Sequence, residues 1–154
     1  MKRLDRIDRK ILMALQSDGR LTNQSLADLV GLSPSPCLKR VRALETAGLI
    51  RTYFAEIDRK ACGLAVTAFV RIRLKDHSPD TVATFERKIA AIDAVIECHL
   101  MSGGEDYLLE VVVSGHDGYE RFMREELHPV PGIGAIETNF SISAIKHRSP
   151  CPIP

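Results

Sequence analysis

Near residue 60 the spacing of apolar side chains changes, and that change constrains the fold of this 154-residue chain more than any other feature. Before it, apolar residues recur at the three- and four-residue steps of amphipathic helices. After it, alternating runs suited to half-buried strands are interleaved with helical segments. Such a chain is α+β and falls into two modules, residues 1–60 and residues 61–154, with Asp58-Arg-Lys-Ala-Cys-Gly63 as the hinge. Charge divides at the same place. Residues 1–60 hold 12 Lys and Arg against 7 Asp and Glu, net +5, and residues 61–154 hold 9 against 13, net −4. Only the first module suits a polyanion.

The first module reads as three helices. One runs from about Asp5 to Ser17, with Asp5 as cap, Asp8 at the capping-box position, and Ile7, Ile11, Ala14 and Leu15 as its stripe. The second opens at Thr22, where Leu21 and Leu26 form a hydrophobic staple, and ends at Gly31. The third lies between Ser33 and Gly48. Ser33 or Ser35 caps it, each followed by a proline suited to the first helical position, and Gly48 suits a left-handed stop. Leu38, Val41, Leu44 and Ala47 make its apolar stripe, while Lys39, Arg40 and Arg42 point elsewhere. Two short helices joined by a glycine-containing turn, the second of them basic, form a helix-turn-helix. The candidate DNA contacts are Ser33, Ser35, Lys39, Arg40 and Arg42, together with Thr22, Asn23 and Gln24 at the start of the preceding helix. An ordinary solvated helix face is the alternative reading of the same cations. Cys37, near a helix N-terminus, reads either as packing or as a thiol made acidic enough to act as a redox switch.

Leu49 to Ile57 is rich in β-branched and aromatic residues and reads as a strand, a wing or connector. The second module follows as β, about Val66 to Leu74; α, from Ser78-Pro-Asp80; β, about Ala94 to Met101; β, about Tyr107 to Val113; α, opened by an Asp117-Gly-Tyr-Glu120 capping box and ending near Leu127; and β, about Ile136 to Ile145. This βαββαβ order is the ferredoxin-like plan. Ile96, Cys98 and Leu100 are placed together, as are Ile136, Thr138, Phe140, Ile142 and Ala144. The sheet face away from the helices mixes Arg71, Arg73, Glu97, His99, Glu110, Asn139 and Ser141 with Met101, Val112 and Ile145, a composition that fits a subunit interface. The proline-rich tail from His147 reads as extended and free to pack on a neighbour.

The composition excludes several classes. No apolar run approaches the roughly 20 residues of a membrane helix, and Met1-Lys-Arg-Leu-Asp lacks the apolar core of a signal peptide, so a cytoplasmic protein is expected. The four cysteines have no C-x-x-C spacing and the five histidines are dispersed, so no metal site is expected. Catalytic motifs are absent, and the expectation is a protein that is not an enzyme and has no cofactor.

The turn Ser102-Gly-Gly-Glu-Asp106 is the small-molecule candidate, with Met101 and Tyr107 flanking Gly103, Gly104, Glu105 and Asp106. Exposed N–H groups suit an amino acid's carboxylate, and Asp106 suits its ammonium. On the residues alone, a plain hairpin turn explains the same glycines and aspartate.

Taken together, the runs Leu4-Asp-Arg-Ile-Asp-Arg-Lys-Ile-Leu12, Gly19-Arg-Leu-Thr22, Leu26-Ala27, Val30-Gly-Leu-Ser33, Arg40-Val41, Leu44-Glu45, Gly48-Leu-Ile50 and Gly103-Gly-Glu-Asp-Tyr-Leu-Leu109 resemble the Lrp/AsnC, or feast/famine, family. Pro131-Gly132 before the last strand also fits. The resemblance implies a winged helix-turn-helix joined to an effector-binding and oligomerisation domain. It implies dimers, often octamers or larger even assemblies, that bind double-stranded DNA and sense an amino acid, and it favours the glycine turn as the effector site. Two other readings remain: an enzyme on the same plan, as in the sirohaem decarboxylases, and a stand-alone amino-acid sensor. The scattered histidines and the concentration of basic residues on one helix weigh against the first.

Overall fold

The computed structural model describes residues 4–146 and 149–153; His147 and Arg148, on which part of the tail reading falls, lie outside them. Contacts divide the chain into two units, residues up to Glu56 together with the tail after Ile145, and Ile57–Ile145.

In the first unit, α1 is Arg6–Ser17, α2 Asn23–Val30 and α3 Pro34–Thr46. Asp5 Oδ1 accepts the N–H groups of Ile7 and Asp8 at 2.8 and 2.7 Å, satisfying two orphan donors of α1. Thr22 caps α2 by accepting the Ser25 N–H at 3.1 Å. Ser33 precedes α3 with its hydroxyl outside any capping bond, and Pro34 opens the helix. Gly48, at φ 69°, closes α3: its N–H reaches Glu45 and the Leu49 N–H reaches Leu44, the paired bonds of a Schellman stop. Ile11, Leu12, Leu26, Ala27, Val30, Cys37 and Leu44 make the core.

One expectation fails here. Residues 51–58 form no strand, and Tyr53, Phe54 and Ile57 are about half exposed or more. Strand propensity needs a partner ladder, and no strand among the described residues pairs with that segment. The tail docks on its own first unit. Gln16 Nε2 donates to the Cys151 carbonyl at 3.2 Å, the Cys151 N–H returns to Gln16 Oε1 at 2.6 Å, and Ile153 packs on the helical core. By contacts the tail thus groups with the first unit.

In the second unit, β1 (Val66–Leu74), α4 (Pro79–Ile89), β2 (Val95–Leu100), β3 (Tyr107–Val113), α5 (His116–Arg121) and β4 (Ile133–Phe140) follow one another. The strands form an antiparallel sheet in the order β2-β3-β1-β4, the ferredoxin-like arrangement. Phe85 and Ile89 of α4, with Phe122 and Leu127 after α5, bury one sheet face through Ala68, Val70, Ile72, Leu109 and Val111.

Three boundaries differ from the sequence pattern. β2 carries a bulge between Val95 and Glu97, so Val95 pairs with buried Val111, and Ile96 is left 41% exposed instead of sharing a face with Cys98. α5 begins at His116, so Asp117 lies in its first turn and is not the cap. From Phe122 to Leu127 the helix continues with i→i+5 bonding, which brings Phe122 and Leu127, five residues apart, onto one buried side. β4 ends at Phe140. The Ser141 N–H still reaches the Thr67 carbonyl, but Ile142 and Ile145 are fully open to solvent.

Candidate nucleic-acid interface and effector turn

α3 is divided lengthwise. Cys37, Val41 and Leu44, spaced i, i+4, i+7, face the core, and the expected members Leu38 and Ala47 are exposed. Ser35, Lys39 and Arg42 repeat the same spacing two residues out of step. At 3.6 residues per turn that is about 200° around the axis, the opposite side of the helix. All three are exposed, as is Ser33, and among the described residues none of the four has a side-chain hydrogen bond or ion pair.

Arg40 is the exception among the expected DNA contacts on α3. It lies beside the buried side of α3, and its Nη1 donates to Asp5 Oδ2 at 2.6 Å and Asp8 Oδ1 at 2.8 Å. Asp8 is 2% exposed. Arg40 therefore clamps α3 to the start of α1, and its charge is met inside the protein. The Asp8 N–H, followed by Arg40, holds the Asp5 carboxyl below the usual carboxylate range.

The start of α2 is also partly occupied. Asn23 Nδ2 donates to the Pro34 carbonyl at 2.8 Å, tying α2 to the first residue of α3. Thr22 serves its cap, and Gln24 Nε2 donates to Asp28 at 3.0 Å on an exposed face. Of these three, Gln24 remains the side chain best placed outward, and Asn23 sets the angle of the turn. The Cys37 thiol is fully buried and pushed up by that burial, the direction opposite to the one a redox switch requires.

The glycine turn joins β2 to β3, and here the structure separates residues that the sequence pattern had grouped. The Asp106 carboxylate is engaged by its own chain: Oδ2 accepts the Leu74 N–H at 2.7 Å, and Oδ1 meets His77 Nε2 at 2.7 Å. The His77 bond, then the Leu74 N–H, holds this carboxyl below the usual range. Tyr107 points into the core. It is 2% exposed, its ring lies 4.6 Å from Phe85, and its hydroxyl donates to Glu86 at 2.9 Å. Burial, then Glu86, pushes that phenol up to about 12. Asp106 and Tyr107 therefore seat the turn, while Met101, Gly103, Gly104 and Glu105 form its accessible part.

The sequence alone did not reveal the contact of His77 with Asp106 or the reach of Arg73, whose Nε donates to the Gly104 carbonyl at 3.0 Å. The usable signal was topological: the expected order places β1 beside β3, so residues 73–77 must run alongside the turn that enters β3.

Removing the Asp106 carboxylate leaves the N–H of buried Leu74 without its acceptor. Asp106→Ala should therefore cost about 1–3 kcal/mol in urea denaturation. Because the folded pKa of Asp106 is depressed, its stabilisation is complete above the ordinary value of 3.8 and is lost as pH falls through the lower folded value. The gap between parent and Asp106→Ala should narrow in acid; a gap unchanged from pH 7 to pH 2 would contradict the latch.

The comparisons agree with this architecture. A family model described as a winged helix-turn-helix DNA-binding domain matches residues 4–51, and one described as the Lrp/AsnC ligand binding domain matches residues 67–151. The Bkd operon transcriptional regulator of Pseudomonas aeruginosa is 40% identical over 99% of this chain and 100% of its own. The leucine-responsive regulatory protein of Escherichia coli is 40% identical over 96% of this chain and 90% of its own. Among solved structures, a transcriptional regulator from Neisseria meningitidis in complex with L-methionine superposes with a TM-score of 0.93 at 34% identity, covering 97% of both chains. An AsnC family regulator from Agrobacterium tumefaciens gives 0.91 at 36% identity, also over 97% of both. Identity at this level along nearly the whole chain establishes descent as well as architecture, and the protein belongs to the Lrp/AsnC family of DNA-binding transcriptional regulators.

Proposed function

We propose that this protein regulates transcription by sequence-specific binding of double-stranded DNA and that a small amino acid, bound by the second unit, changes its DNA affinity or its assembly. The observation that carries the DNA half is the division of α3, with an apolar side committed to the core and an opposite side of hydroxyls and cations that have no partner among the described residues. In this reading Arg42 forks onto a base edge or phosphate, and Ser33, Ser35, Lys39 and Gln24 position the helix on the backbone. Arg40, Asn23 and Thr22 hold the motif in shape. Regulation of this kind places the protein in the cytoplasm, with no cofactor beyond the effector. Among the described residues no helix is long and apolar enough to cross a membrane.

Arg42→Ala should cost about 1–3 kcal/mol and relax specificity at one base pair if it reads a base. Lys39→Ala should weaken all sequences alike and lower the salt slope by about 1. An Arg42→Ala, Lys39→Ala double variant with the parent's footprint and affinity would overturn the assignment.

The amino-acid half is supported by the ligand-binding family match and by relatives named for leucine and solved with methionine. Even-numbered assembly, as a dimer or an octamer, is proposed through the open sheet face, where Phe69 and Met101 are 39% and 42% exposed beside the ion pairs Arg71–Glu137 and Arg59–Glu110. Half-sites should then lie about 10 base pairs or a multiple apart. Light scattering showing a monomer at micromolar concentration would contradict it.

A further inference from the structure

The tail is held on the first unit through its main chain. Gln16, in the last turn of α1, gives its Nε2 to the Cys151 carbonyl at 3.2 Å and takes the Cys151 N–H on Oε1 at 2.6 Å, across 135 residues of sequence. The Cys151 side chain itself is exposed. Pro150 and Pro152 bracket Cys151. Each fixes its own φ and biases the residue before it towards extended backbone, so the stretch is set for docking before it docks. Two residues on from Cys151, Ile153 packs on the cluster that includes Ile11, Leu12, Cys37 and Leu44.

α1 carries that hold to the recognition helix. Gln16 lies about 12 Å along the axis from Asp8. Asp8 and the capping Asp5, at the opposite end, take the Arg40 guanidinium of α3. Cys37 and Leu44 of α3 belong to the same core on which Ile153 rests. The helix that meets DNA is therefore tied to α1 at one end, and α1 is tied to the tail at the other. Gln16, Cys151 and Ile153 all lie outside the exposed set of α3, Ser35, Lys39 and Arg42.

We propose that the tail is a strap that seats α3 for DNA, with Gln16 and Ile153 as positioning residues that act through α1 and the shared core. With the strap docked, α3 meets the duplex already fixed in angle. With the strap released, the three helices keep their fold, but α3 has more freedom to lose on binding, and every sequence is bound more weakly.

The test compares full-length protein with its variants by DNA anisotropy and urea denaturation. The probes are a duplex selected from a random library by the parent and a random-sequence duplex. Cys151→Pro removes the N–H while keeping an extended φ, and Cys151→Ser changes only the exposed thiol. Gln16→Ala and Cys151→Pro should each weaken binding of both duplexes about 3- to 10-fold, the worth of a net hydrogen bond carried into affinity. Ile153→Asp should weaken it at least as much, Ile153→Val should restore most of the parent's affinity, and Cys151→Ser should match the parent. In the Gln16→Ala background, Cys151→Pro should cost nothing more, because its partner is already gone. A tail that only adds stability gives a different pattern. Without denaturant, a protein that loses one hydrogen bond stays almost wholly folded, so urea midpoints would fall while DNA affinities hold. Parent-like DNA affinity in Gln16→Ala and Cys151→Pro would overturn the proposal whatever the midpoints do. So would a Cys151→Pro loss that adds in full to that of Gln16→Ala.

Discussion

Replacing Arg40 with alanine is expected to destabilise the protein by about 2–3 kcal/mol and to weaken its binding to all DNA sequences alike. Asp8, 2% exposed, loses the Arg40 guanidinium, one of the groups that meet its charge. Breaking such a pair costs about 3–5 kcal/mol when both partners are buried, and the lower figure allows for an Arg40 side chain that is 34% exposed. The loss should fall on DNA binding through the seating of α3, because the pair ties that helix to α1. Arg40→Lys should restore only part, since one ammonium cannot hold both carboxylates as a planar fork does. Urea denaturation and DNA anisotropy on the same variants decide the matter. Unchanged stability with specificity lost at a single base pair would show that Arg40 reads DNA, contrary to the geometry.

A larger loss is expected in the second unit. Phe85 is fully buried and lies against Tyr107 and the β1–β3 strands. Phe85→Ala should cost about 3–5 kcal/mol, combining lost burial with the cavity left behind. Tyr107→Phe should cost about 1 kcal/mol, since it removes one hydrogen bond to Glu86 and keeps the ring contact. Denaturation followed by circular dichroism reads both changes. Equal effects of the two substitutions would mean that the ring contact carries little of the core's stability.

These residues show where the sequence could be read and where it could not. Every expected helix and all four strands of the second module were legible from their periods, and at three helices the cap agrees: Asp5, Thr22 and Ser78 each precede a helix and accept an N–H from its first turn. The linker segment was misread because β-branched residues state a preference that only a partner strand can satisfy. Arg40 and Arg42 look alike in sequence, yet two residues of helical rotation put one beside the buried side of α3 and the other in solvent. Cys37 reads in sequence either as packing or as a reactive thiol, and its spacing to Val41 and Leu44 decides for packing. Asp106 was legible as a turn residue, but its partners lie 32 and 29 residues away, at Leu74 and His77, and only strand order brings them there.

Coupling between an amino acid and a DNA sequence through one chain can be measured directly. Duplex sites selected from a random library by the full-length protein would be titrated by fluorescence anisotropy across salt, with and without each of the twenty amino acids. Coupling of this kind gives an enriched site, affinity that falls steeply with salt, and a shift in that affinity with at least one amino acid. An enriched site that no amino acid affects, in affinity or in assembly state, would contradict the coupling; failure to enrich any sequence would contradict the DNA-binding assignment itself.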